Sequence, residues 1–320
     1  MGVILAAFSL SLALSTSGQT NFQFSNVRLL TNRELALTLT SSNAPFVRVD
    51  SSADLSAWQG LVTVPASNGS LSVTDTAAPY LSQRIYRAQQ LTNVGTITGD
   101  HLATTNGEIV LHPISHATFL IGWQGKAIYN DPTNGAAAFP GLPKADLILV
   151  THAHTDHFNA ATLEALRGPG CVIITSQTVY SQGSMTTALR AITAVLGYGA
   201  STNVMGLQVQ AVPAYNSYHP INTGNGYVLT IGEKRIYIAG DTGDIPEMRS
   251  LSNIDIAFLP MNVPYTMPVS NAAAIVRDFR PRVVYPYHFR NQDGTFANLN
   301  DFKQRLGQDL GIEARLRKWY

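Results

Sequence analysis

The stretch Thr151-His-Ala-His-Thr-Asp-His157 decides how this chain is read. It puts three of the eight histidines of a 320-residue sequence, and one aspartate, inside six residues. An apolar run, Asp146-Leu-Ile-Leu-Val150, leads into it, and Phe158-Asn-Ala-Ala-Thr-Leu-Glu-Ala-Leu166 follows with helical spacing. The pattern predicts strand, loop, helix. His152 and His154 are two apart, so on extended backbone they face one way; Asp156 and His157 fall where the chain turns into the helix. Imidazole and carboxylate are the usual ligands of zinc and similar divalent ions, and four such groups at one strand end can hold two ions. The bland alternative is a solvated loop with chance histidines, and the clustering argues against it.

Later positions repeat this placement. His219 lies in the loop Pro213-Ala-Tyr-Asn-Ser-Tyr-His-Pro220, after a strand ending at Val212. Asp241 follows the strand-like Arg235-Ile-Tyr-Ile-Ala-Gly240, where Gly240 lets the backbone approach a neighbour closely. His288 follows Val283-Val-Tyr-Pro-Tyr287. Each sits just past the C-terminal end of an apolar strand, where sites in layered α/β folds collect. Singly, each reads as an ordinary loop histidine or a turn aspartate. Seven ligand-type groups obeying one placement rule read as a site.

The rest of the chain bounds what that site can be. Net charge is +1, with no basic stripe, so no nucleic-acid partner is expected and a small-molecule substrate is. The length suits a large domain with a small companion. Cys171 is the only cysteine, opens the apolar Cys171-Val-Ile-Ile-Thr175, and reads as a buried strand residue. Residues 1–18 begin with a short apolar run, Met1–Leu14, and end in Ser15-Thr-Ser-Gly18, the shape of a signal peptide, although no Lys or Arg precedes the run. A periplasmic or secreted protein is expected on that reading, a cytoplasmic one without it. No other stretch is long and apolar enough for a transmembrane anchor.

Residues 19–93 alternate apolar and polar positions between Ser, Asn, Gly and Asp turns and predict a small all-β module. Its Asp54-Leu-Ser-Ala-Trp58, Asp75 and Ile85-Tyr-Arg87 resemble the β-sandwich-like modules appended to exported bacterial enzymes. We read it as a spacer, or as a docking module for another protein or surface. A joint is expected near Thr92–Gly99. Residues 94–320 then mix strands with helices expected at Phe158–Leu166, Met185–Leu196, Asn271–Phe279 and Asn300–Leu306, an α+β layered domain.

His152-x-His154-x-Asp156-His157, His219, Gly240-Asp241-Thr242 and His288 together resemble the metallo-β-lactamase superfamily. The flanks Ile114-Ser-His-Ala-Thr-Phe-Leu-Ile121, Asn130-Asp-Pro132 and Pro286-Tyr-His288 are similar to its branch containing L-ascorbate-6-phosphate lactonase and related metal-dependent hydrolases. The resemblance implies an αββα sandwich and two divalent ions, zinc with manganese or iron as alternatives. It assigns His152, His154 and His219 to one ion, Asp156, His157 and His288 to the other, and Asp241 to both. It also implies a metal-bridging hydroxide that attacks an ester, lactone or phosphodiester-type substrate, with Asp156 and His116 as catalytic groups. Asp131 is expected to brace the metal loop, and Tyr215, Tyr218, Tyr265, Met267 and Arg290 to line the pocket. His101 and His112 are expected to be structural or exposed. The alternatives are a β-lactamase, an oxidoreductase of flavodiiron type (which has Glu where His154 stands and a flavin domain absent here), or a non-catalytic binding protein on the same scaffold.

Overall fold

The computed structural model describes residues 23–41, 45–66, 69–81, 83–92 and 96–320. The expected leader, 1–18, lies outside the described residues. The chain divides into two compact units, the first running to Ala103 with Gly107–His112, the second comprising Thr104–Asn106 and Pro113–Tyr320.

The first unit is all β. Strands β1 (Gln23–Leu29), β2 (Leu35–Ser41) and β5 (Gly69–Asp75) form one antiparallel sheet in the order β1-β2-β5. Strands β3 (Phe46–Ser52), β4 (Gln59–Pro65), β6 (Ile85–Leu91) and β7 (Gly99–Thr104) are ordered β7-β4-β3-β6. The period-two pattern decides which side chains meet: Leu37, Leu39 and Val73 from the first sheet pack with Val47, Val49 and Leu61 from the second. The recurrent polar residues hold the corners. Buried Asp75 accepts from Arg84 Nε and Tyr86 Oη, both at 2.8 Å. The Arg87 guanidinium lies 4.4 Å from the Trp58 ring centroid, and Asp54 Oδ1 accepts from the backbone of Ser56 and Ala57. His101 is structural: its Nε2 meets Thr63 Oγ1 at 2.7 Å and its Nδ1 meets Glu108 Oε2 at 3.1 Å. His112, half-buried, bonds the Thr98 carbonyl at 2.8 Å.

Strand β8 (Gly107–Ser115) leads into the second unit. There β9 (Thr118–Trp123), β10 (Lys126–Asn130), β11 (Ala145–Leu149), β12 (Arg167–Thr175) and β13 (Thr193–Val195) form one layer in the order β13-β12-β11-β10-β9, parallel from β10 to β13. The other layer has seven strands in sequence order: β14 (Ser201–Val204), β15 (Leu207–Ala214), β16 (Gly224–Ile231), β17 (Lys234–Ile238), β18 (Ile256–Pro260), β19 (Val283–Tyr287) and β20 (Glu313–Ala314). The layers meet face to face: Phe119 of β9 stacks on Phe258 of β18 with ring centroids 4.1 Å apart, and Tyr227 Oη of β16 donates to the Val150 carbonyl at 2.8 Å. Helices α1 (Ala160–Leu166), α2 (Gln177–Tyr180) and α3 (Thr187–Arg190) accompany the first layer in sequence. Helices α4 (Pro246–Arg249), α5 (Val269–Phe279) and α6 (Leu299–Leu306) accompany the second. This is the expected αββα sandwich behind an all-β module.

Two expected helices differ. Of Met185–Leu196 only Thr187–Arg190 is helical; Thr193–Val195 leaves as β13 and pairs with Ile173–Thr175. Ile192, Thr193 and Val195 are β-branched, and the open edge of β12 gives their backbone partners that a helix would otherwise supply. Helix α5 starts two residues before Asn271, with Pro268 at its cap, and ends at Arg280 in the left-handed region before Pro281. Cys171 is buried on β12, as expected.

Candidate metal centre

Every ligand-type group flagged in the sequence comes from a loop at the C-terminal end of a strand. His152–His157 follow β11, His219 follows β15, Asp241 follows β17 and His288 follows β19. The first loop owes its shape to its own backbone. The His154 carbonyl accepts from His157 N at 3.0 Å and Phe158 N at 2.8 Å, which turns the chain back before α1. Asn159 then caps that helix by accepting from Thr162 N at 2.9 Å. The turn separates His152 and His154 from Asp156 and His157. Gly240 fits its place because its φ is +65° and a Cβ there would lie 2.9 Å from the Asn225 carbonyl.

The side chains converge in two groups that share one carboxylate. His154 Nδ1 lies 3.1 Å from His152 Nε2 and 3.2 Å from His219 Nε2. His157 Nε2 and His288 Nε2 are 3.1 Å apart, with Asp156 Oδ2 at 3.7 and 3.5 Å from them. Between the groups, Asp241 Oδ2 faces His219 and His288 at 3.4 and 3.5 Å, and Oδ1 faces His157 at 3.4 Å. His116, after β8, joins the second group: its Nε2 is 3.0 Å from Asp156 Oδ2.

On His152, His157 and His219 the outward nitrogen is tied down, which leaves the inward one as a lone pair; the outward Nδ1 of His288 is buried without a hydrogen-bond partner. Asp131, fully buried, accepts from Thr151 N and Thr151 Oγ1 at 2.7 Å and from His157 Nδ1 at 2.8 Å. Thr151 Oγ1 spends its proton on Asp131, so it accepts from His152 Nδ1 at 3.0 Å. Asn216 Oδ1 takes the proton of His219 Nδ1 at 3.0 Å and also caps the backbone of Tyr218 and His219. Each pairing fixes a tautomer with Nε2 bare and directed inward.

This donor set fits cations. Asp241 is buried and its Oδ1 has no hydrogen-bond partner. A carboxylate so placed is costly unless a cation or proton meets it. Burial, reinforced by Asp156 and Asp131, pushes its pKa well above the ordinary value. Burial drives the imidazoles the other way: His152 and His157 fall well below the ordinary value, His219 falls to about 4, and their mutual repulsion adds to this. They stay neutral, as ligands must. Burial alone would raise Asp156, but the His116 and His288 side chains outweigh it and hold the carboxyl low. His116, Asp131 and His288 are three of the eleven described non-glycine residues with positive φ, so some of the backbone strain lies at the centre.

Residues not singled out in the sequence also contribute. Tyr320 Oη bonds His116 Nδ1 at 2.8 Å, and the Trp319 carbonyl accepts from His116 N at 3.1 Å. Tyr320 is two hundred residues from His116, and no local pattern marks it. Asn216 and Thr151 act through their contacts with the His219 and His152 rings, which the sequence of their loops does not reveal. Among the expected lining residues, Tyr218 and Tyr265 form a ring pair beside His219, whereas Met267 is buried and Tyr215 Oη is engaged with Glu247 at 3.0 Å.

The comparisons agree with this geometry. A family model described as a beta-lactamase superfamily domain matches residues 111–288. A UPF0173 metal-dependent hydrolase of Thermococcus kodakarensis is 34% identical over 210 residues, 62% of this chain and 92% of that protein. One from Aeropyrum pernix is 30% identical over 226 residues, 64% of this chain and 93% of that protein. Among solved structures, a protein of Parabacteroides distasonis assigned as a metal-dependent hydrolase is 37% identical, with a TM-score of 0.61 over 69% of this chain and 99% of its own. A metallo hydrolase of Ignicoccus hospitalis is 25% identical, with a TM-score of 0.57 over 66% of this chain and 95% of its own. With a family model spanning more than half its length and its ligand-type residues gathered at strand ends, the chain belongs to the metallo-β-lactamase superfamily.

Proposed function

We propose that this protein is a dinuclear metal-dependent hydrolase of esters, lactones or phosphodiester-type substrates. One observation carries the reading: the buried Asp241 carboxylate, without a hydrogen-bond donor on Oδ1, sits between two sets of inward-facing imidazoles. His152, His154 and His219 would hold one ion, Asp156, His157 and His288 the other, and Asp241 both. Zinc suits these nitrogen and oxygen donors, with manganese or iron as alternatives. Ions held there would supply Lewis acidity toward water and toward a carbonyl or phosphoryl oxygen.

The chain's own groups do the rest. Asp131 fixes the His157 ring through Nδ1–H and, through Thr151, the His152 ring. Asp156 is the exposed carboxylate at the mouth and is the group placed to take a proton from water. His116 orients it. With Tyr320 Oη–H on Nδ1, the His116 proton lies on Nε2 and is donated to Asp156 Oδ2. His116 and Asp156 are therefore assigned as the proton-handling pair. The sequence flanks favour the lactonase-like branch over a β-lactamase, and the curated relatives named as metal-dependent hydrolases support hydrolysis over oxidation.

Elemental analysis of the protein and of Asp241→Ala, with turnover of a lactone, a phosphodiester and a chromogenic cephalosporin, tests this. Two ions per chain with hydrolysis of one of the first two, both lost in the variant, are expected. A full metal content without any hydrolysis would overturn it.

A further inference from the structure

Large apolar side chains left in water normally scatter. Here they gather. Among the described residues of the second unit, six stay exposed: Val195, Tyr218, Ile221, Val263, Phe296 and Tyr320. All but Val195 belong to the loops that carry, or abut, the metal centre, and these five are 40–60% exposed. Tyr218 and Ile221 flank His219 in sequence. Val263 follows β18, Phe296 lies in the segment after His288, and Tyr320 bonds His116.

The loops are joined into an arc. Asn216 Nδ2 donates to the Tyr265 carbonyl at 2.9 Å, and the Tyr218 and Tyr265 rings meet edge-on at 5.3 Å. Val263 N donates to Asn291 Oδ1 at 3.0 Å, and its carbonyl accepts from Gln292 N at 3.2 Å. Phe296 closes on Tyr320 with centroids 5.1 Å apart, and Tyr320 reaches His116 and, through it, Asp156. The arc thus starts at a ligand of one group and ends at a ligand of the other. Residues 214–223 and 261–268 contain no Asp, Glu, Lys or Arg, and the third stretch, 289–298, carries one of each sign, Arg290 and Asp293.

Resting on the hydrolase reading above, we infer that this arc is the wall of a substrate subsite, and that its occupant is the uncharged apolar arm, acyl or aryl, of the ester or lactone being cleaved. A phosphorylated or otherwise anionic arm would need cationic partners, and of the Lys and Arg residues only Arg290 lies next to a ligand in these loops. Carbon surface beside a reactive centre gains by covering apolar substrate, and each methylene so buried adds to transition-state binding.

The test uses the metal-loaded full chain with 4-nitrophenyl esters from acetate to octanoate, alongside binding of acetohydroxamate and octanohydroxamate measured by calorimetry. kcat/KM is expected to rise by about threefold per methylene over the first few carbons. The octanoyl hydroxamate is expected to bind at least tenfold more tightly than the acetyl one. Ile221→Ser and Phe296→Ser, both at exposed positions of the wall, should flatten the chain-length ratios in both measurements. Equal values for short and long chains in both measurements would overturn the inference, even where the esters turn over. A chain-length effect on binding without any turnover would support the wall and remove the hydrolase reading instead.

Discussion

Asp131→Asn isolates what the buried brace contributes. The carboxylate accepts three hydrogen bonds at 2.7–2.8 Å, from Thr151 N, Thr151 Oγ1 and His157 Nδ1. An amide of the same shape offers one acceptor oxygen and one donor. With its oxygen toward His157, its NH2 opposes Thr151 N–H; flipped, it opposes His157 Nδ1–H. Either way a buried donor goes unpaired, at a cost of about 1–3 kcal/mol. Spread over ion binding at 1.4 kcal/mol per decade, that is roughly 5- to 150-fold, in the range of about 10–100-fold seen when the outer partner of a ligand histidine is removed. The loss should fall mainly on the ion held by His157 and His288. An ion held by His152, His154 and His219 would feel it only through Thr151. Chelator competition combined with native mass spectrometry, counting ions per chain, measures the two affinities separately. Wild-type affinity for both ions, or equal loss of both with the fold intact by circular dichroism, would refute the brace.

Other perturbations follow from the same contacts. Asp241→Asn removes a buried carboxylate without a donor on Oδ1, so the metal-free protein should gain about 1–3 kcal/mol and melt several degrees higher, while the stabilisation conferred by added zinc disappears; differential scanning calorimetry with and without chelator reads both. Gly240→Ala forces a Cβ to within 2.9 Å of the Asn225 carbonyl at positive φ, and should cost about 2 kcal/mol or more by urea denaturation, with metal affinity falling alongside. In the β module, the hydrogen bond to His101, aided by Arg48 and opposed by burial, holds the Glu108 carboxyl well below its ordinary 4.5. A depressed carboxyl contributes stability that is complete above the ordinary value and is lost as the pH falls through and below it. Glu108→Gln should therefore flatten the acid limb of the stability profile, measured by denaturation between pH 6 and pH 3.

The placement rule for the candidate metal ligands was readable because chemistry that needs bare nitrogens must recruit histidine, and the strand before each of them is apolar enough to announce itself. The layered fold followed from those strands and from runs of helical spacing such as Phe158–Leu166. Range limited the rest. Tyr320 and His116 meet only after both layers have packed, and Asn216 looks like any loop amide until its Oδ1 is seen on His219. The missed strand Thr193–Val195 has the same cause: three residues take their conformation from the exposed edge of β12 rather than from their own period. Five scattered apolar residues in loops carried no periodicity at all, and their meaning came from what they surround.

Each of the two candidate ligand groups draws on both layers of the sandwich. His152 and His154 sit on the β11 side and His219 on the β15 side; Asp156 and His157 sit on the first, His288 on the second. Neither half of the domain holds a complete set, so occupancy certifies that the layers have folded and docked in register. An immature or half-unfolded chain would be inert as well as unstable. Chelation should correspondingly loosen the seam, raising amide exchange at Phe119 and Phe258, whose rings face each other across it. On the proposed reading, the centre would act as a checkpoint on assembly, making activity conditional on the native topology.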